Sequence, residues 1–152
     1  MKMKTYIGTK IIEASPAIRK GGKIYDANEL IPRSMEPVEN GYKVRYSDGY
    51  ESFSPKYVFE DAYRETDCLS FGLAIEAAKK GKRIARRGWN GKNQYVEIAE
   101  RISYENAAHE VVNANHEAIG NKALAFVGTS GVQLGWLASQ ADMLADDWEI
   151  VE

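Results

Sequence analysis

The longest stretch of this chain without a polar side chain is Ala123–Gly128, and that brevity constrains the fold more than any other feature. A membrane-spanning helix needs about 20 consecutive apolar residues, so none is expected. The opening Met1-Lys2-Met3-Lys4-Thr5-Tyr6-Ile7-Gly8 lacks the apolar core of a secretion signal. With 152 residues, 44% hydrophobic and 28% charged, the chain falls in the globular range and suits one ordinary domain or two very small ones. A single cysteine, Cys68, excludes an internal disulfide and a multi-cysteine zinc site. The expectation is a cytoplasmic globular protein.

The pattern divides the chain at Glu65-Thr66-Asp67. Residues 1–66 read as a small β-rich accessory domain with a C-terminal helix. Tyr6–Ala14 has strand character, Lys20-Gly21-Gly22-Lys23 is a turn, and residues 25–40, with Pro32 and Pro37, read as a loop. Tyr42–Tyr46 alternates, Ser47-Asp48-Gly49 supplies turn chemistry, and Tyr50–Phe53 alternates back, which predicts a β-hairpin. Ser54 is the expected N-cap of a helix that starts at Pro55 and runs to about Arg64. Val58, Phe59, Ala62 and Tyr63 would form its inner side.

Residues 67–152 read as a second domain. Ser70 caps a helix that Gly81 stops, and Lys82–Arg87 and Gln94–Ala99 are strands around an Asn90-Gly91 turn. Ser103 to about Ala118 reads as a polar helix. Strands follow at Ala123–Thr129 and Val132–Leu137, then a short helix from Ser139 to about Ala145 and a last strand, Trp148–Val151. The whole is an α+β chain: a small β-rich module followed by an antiparallel sheet packed with helices.

Charge is segregated in the second part. Lys79, Lys80, Lys82, Arg83, Arg86, Arg87 and Lys92 crowd together with no acid between Glu76 and Glu97, and acids return from Asp142 onward. Such a local basic stretch suits a compact anion better than a long nucleic-acid track. His109 and His116 on a helix would lie about 10 Å apart along its axis, too far to share a metal. No Gly-x-Ser-x-Gly elbow, P-loop or Gly-x-Gly-x-x-Gly pattern occurs. The chain reads as a binder rather than an enzyme, with no metal or cofactor.

Two segments suggest ligand chemistry. In Arg86-Arg87-Gly88-Trp89-Asn90-Gly91-Lys92, the cations can pair with phosphate oxygens, Trp89 offers a stacking face and Asn90 can donate and accept. The same residues also fit a tight hairpin with its tryptophan folded onto the core. In Gly135–Trp148, Ser139 and Asp142 form a capping-box pattern, and Leu144 and Trp148 have core spacing. Trp136 and Gln140 lie where a strand end meets a helix N-terminus that would favour an anion.

These segments carry a resemblance. Phe71-Gly72, Ala74–Ala78, Gly81-Lys82, Ala85–Lys92 and Gly135–Glu149 make residues from about 70 to 152 similar to the second class of Thoeris anti-defence sponge, a small phage and prophage domain. Ala138 stands where that family has proline, and Ser103–Lys122 occupies the place of its variable insert. The resemblance implies a homo-oligomer, a tetramer by analogy, in the bacterial host cytoplasm. It would bind a cyclic ADP-ribose-type immune signal and sequester it without cleaving it. The ligand contacts expected are Arg86, Arg87, Trp89, Asn90, Lys92, Trp136 and Gln140. The alternative is a phage structural or protein-interaction module that docks through the Trp-Asn-Gly hairpin. A nucleic-acid binder fits less well with a pI near 5.8.

Overall fold

Short alternating segments punctuated by glycines build two larger antiparallel sheets, each with helical elements beside it, and one two-stranded ribbon among the described residues. The computed structural model describes residues 1–89, 93–118, 120 and 122–152. The chain forms two compact units, Met1–Arg64 and Glu65–Glu152, and both are α+β.

In the first unit, strands β1 (Glu13–Lys20), β2 (Lys23–Asp26), β3 (Val38–Arg45) and β4 (Glu51–Pro55) lie in the order β2-β1-β3-β4. Gly21 and Gly22 close the first hairpin with φ of 59° and 76°, the left-handed conformation that a two-residue hairpin turn requires. Gly41 is required by close approach, because a side chain there would run into the Ser54 carbonyl and the Phe53 ring. The predicted β3–β4 hairpin is present, and the Asp48 carboxylate accepts the Tyr50 N–H at 3.0 Å across its turn.

Helix α1 (Lys56–Ala62) follows β4 directly. Pro55, not Ser54, occupies the N-cap, without a side-chain capping bond. The helix is too short to bury a full face: Val58 and Ala62 are exposed, while the Phe59 ring stacks on Tyr42 at 4.1 Å and on Tyr63 at 5.1 Å. Another expectation is corrected at the start of the chain. The first strand begins at Glu13, because its partner β3 ends at Arg45 opposite Glu13, and residues 6–12 run past the end of that ladder.

In the second unit, helix α2 (Phe71–Lys79) is capped by Ser70, whose hydroxyl accepts the Leu73 N–H at 3.3 Å. Gly81 leaves the helix at φ 89°. Strands β5 (Arg83–Arg86), β6 (Tyr95–Ala99), β9 (Ala123–Gly128), β10 (Gly131–Leu134) and β11 (Trp148–Val151) form a sheet in the order β10-β9-β6-β5-β11. Ala74, Ala77 and Ala78 of α2 are buried against Ile84, Val96 and Trp148, and their small side chains let the helix lie close to the sheet. Short helix α3 (Gln140–Met143) precedes β11.

The helix expected over Ser103–Ala118 does not form. The segment instead carries a two-stranded ribbon, β7 (Tyr104–Glu105) with β8 (Val111–Val112). Asparagine side chains hold its backbone in turns. Asn106 Oδ1 accepts the N–H groups of Ala108 and Glu110 at 3.0 and 2.9 Å, and Asn113 Nδ2 donates to the carbonyls of Ile102 and Glu117, each at 2.9 Å. His109, Asn113 and His116 have positive φ, which no helix interior accommodates.

A tryptophan-lined candidate site

Strand pairing brings Trp89, Phe126, Trp136 and Trp148 of the second unit together. Trp148 opens β11 opposite Arg86 of β5, and on its other side it exchanges backbone hydrogen bonds with Leu69 at 2.7 and 3.1 Å. It is fully buried, and its indole N–H donates to the Asp142 carbonyl at 2.8 Å. Trp89 follows the end of β5. Trp136 follows β10, where the N–H groups of Gly135 and Trp136 both donate to the Leu124 carbonyl, at 2.8 and 3.0 Å. Phe126, on β9 opposite Val96, completes the cluster.

The Trp89 ring meets each of the other three. Trp89 lies 5.2 Å from Phe126, 6.0 Å from Trp136 and 5.4 Å from Trp148, measured between centroids. Phe126 and Trp136 are stacked at 6.0 Å. In front of them an open recess of about 260 Å³ is lined by Gly88, Trp89, Gln94, Phe126, Trp136 and Asp142.

Among the described residues, Arg86, Asp142 and Asp147 beside this recess are paired with one another. Arg86 Nη1 donates to Asp142 Oδ1 and Arg86 Nε to Asp147 Oδ1, both at 2.9 Å. Hydrogen bonds to Asp147 and Asp142 raise the Arg86 pKa above its ordinary value despite partial burial. For Asp142, burial acts to raise the pKa, but hydrogen bonds from Arg86 and Ser139 outweigh it and hold the carboxyl below its ordinary value. The capping box is complete: Ser139 Oγ accepts the Asp142 N–H and Asp142 Oδ2 accepts the Ser139 N–H, both at 3.1 Å.

The residues picked from the sequence therefore take different places. Trp89 and Trp136 share the recess. Arg86 is bound in its two ion pairs. The Arg87 guanidinium donates to the Asp67 carbonyl, and its backbone N–H donates to Asp147 O at 3.0 Å. Gln140 is the first residue of α3 and exposed; neither it nor Arg87 is among the lining residues. At this four-residue helix, the Asp142 carboxylate already supplies the negative charge expected of an anion. Asn90 and Lys92 lie outside the described residues. Sequence reasoning missed Gln94 and Phe126 as lining residues and gave Asp142 a capping role alone. The available signal for Phe126 was alternation along β9, which puts it on the same face as Leu124.

The sequence model of the family described as Tad2-like, the Thoeris anti-defense 2-like domain, matches residues 69–151. A relative named Thoeris anti-defense 2, from Bacillus phage SP01, is 34% identical over 86 residues, covering 55% of this chain and 94% of the relative. The match spans α2, the five-stranded sheet and all three tryptophans. The chain belongs to the Tad2-like family through the domain built by residues 69–151.

Proposed function

We propose that the second unit is an anti-defence sponge, which captures a cyclic ADP-ribose-type signalling nucleotide in the host cytoplasm and holds it without turnover. The observation that carries this reading is the recess whose walls are Trp89, Trp136 and Phe126. Aromatic faces bind a nucleobase by stacking, worth about 1–3 kcal/mol per base. Asp142, the acid among the lining residues, is tied to Arg86 and Ser139, a state suited to accepting hydrogen bonds rather than to moving protons. The name of the phage relative supports the anti-defence role.

The recess volume, about 260 Å³, lies below the roughly 300–1,000 Å³ of pockets that enclose a whole small ligand. One subunit would thus take a base or ring, and the remainder of the nucleotide would be covered at a subunit boundary. This favours a homo-oligomer, with a tetramer expected from the family.

Isothermal titration with cyclic ADP-ribose, its glycosidic isomers and ADP-ribose tests the reading, with mass spectrometry of the heat-released ligand. Saturable binding and recovery of intact nucleotide are expected. Trp89→Ala should weaken binding by about 5- to 150-fold, the equivalent of one lost stacking contact. Absence of binding across the panel, with one host or phage protein captured instead, would establish a protein-interaction module.

A further inference from the structure

Residues 5–12 have the composition of a strand but pair with none of the described residues. Thr5, Ile7, Thr9 and Ile11 alternate along one side and Tyr6, Gly8, Lys10 and Ile12 along the other. Tyr6 is 83% exposed and Ile7 91% exposed, although both belong to types that strands normally bury. The segment continues β1 beyond its last pair, Glu13 with Arg45, and Lys10 Nζ rests 4.9 Å from the centroid of the Tyr46 ring. Its backbone makes no hydrogen bond to the described residues, and a strand-forming segment with open edges recruits another strand.

We infer that two copies of this chain join through these arms, which pair antiparallel about a two-fold axis at Thr9. The sequence is complementary to itself in that register. Ile7 meets the second copy's Ile11, Tyr6 meets its Ile12, Thr5 meets its Glu13, and Thr9 meets Thr9. Apolar and β-branched side chains thus face each other, and no like charges stand directly opposite. A centre at Ile7 would oppose Lys4 with Lys10, and a centre at Gly8 would pair Ile7 and Ile11 with threonines and Ile12 with Lys4. An isologous contact of this kind closes on itself and yields a discrete dimer rather than a filament. The nine-residue ribbon, Thr5–Glu13, would be about 30 Å long and continuous with β1 of both copies.

The inference rests on the first unit alone and stands apart from the nucleotide reading. Its test is cysteine trapping in the full chain with Cys68 replaced by serine. In that background, Thr9→Cys should form a covalent dimer under mild oxidation, seen by non-reducing electrophoresis and intact mass. Ile7→Cys, which faces Ile11 instead of itself, should cross-link at least tenfold more slowly. Adding Ile7→Pro to Thr9→Cys should abolish the dimer without altering the near-ultraviolet circular dichroism, because residue 7 lies outside the sheet and all three tryptophans lie in the second unit. If Thr9→Cys cross-links no faster than Tyr57→Cys, an exposed control on α1, or if Ile7→Pro leaves its cross-linking unchanged, the inference is overturned.

Discussion

Trp148 is the largest fully buried side chain among the described residues. It packs against Phe71 at 5.3 Å and holds the Asp142 carbonyl through its indole N–H. Trp148→Ala should cost about 3–5 kcal/mol of stability, measured by urea denaturation. Trp148→Phe keeps most of the apolar area and removes the hydrogen bond, which should cost about 1 kcal/mol from that loss alone. Asp142 contributes a pH-dependent part of the unit's stability. Its pKa is lower folded than unfolded, so its contribution is complete above the ordinary carboxylate value, near 4, and is lost as pH falls through the lower folded value. Asp142→Asn should therefore lower stability at neutral pH and flatten the decline below pH ~4, as thermal melts across that range would show. Residue roles were legible in the sequence where they are local. The Ser139–Asp142 cap is three positions apart and could be read directly. The Arg86 pairs span 56 and 61 positions, and nothing in a linear pattern announces them.

At the scale of elements, the segment around β7 and β8 shows how side-chain bonding overrides an apparent period. Ala107, Ala108, Val111, Val112 and Ala114 have helical spacing, but the neighbouring asparagines bind the backbone first and stabilise turns. Asn113 contributes twice: it makes three hydrogen bonds to main-chain groups and holds a φ of 58°. Asn113→Ala should accelerate amide exchange across residues 102–117 and leave the protection of β6 and β9 unchanged, as hydrogen-exchange mass spectrometry would show. The elements that could be read correctly were those with strong local chemistry, such as the Ser70 cap of α2 and the glycine turns of the hairpins. The start of β1 could not be read this way, because a strand ends where its partner ends and the length of β3 is a tertiary fact.

For the molecule as a whole, the candidate site was half legible. Trp89 and Trp136 stand out in glycine-bearing loops, where large aromatics lack an ordinary packing period. Phe126 and Gln94 look like strand residues, and only sheet closure brings them beside the indoles. The basic run suggested a phosphate cradle, but Arg86 proves to be neutralised by two aspartates. Replacing Asp147, which does not line the recess, should therefore release part of the Arg86 charge. Asp147→Asn is expected to tighten binding of an anionic nucleotide while lowering thermal stability, and paired titration and melting experiments would check both. The tryptophan cluster also has an optical consequence. The chain has three tryptophans, and all three lie within 6.4 Å of one another by centroid. Its indole emission, and the exciton couplet such neighbours produce in circular dichroism, arise from this one place. The protein thus carries an internal dye at its candidate site, and a guest entering the recess would register in its unlabelled fluorescence.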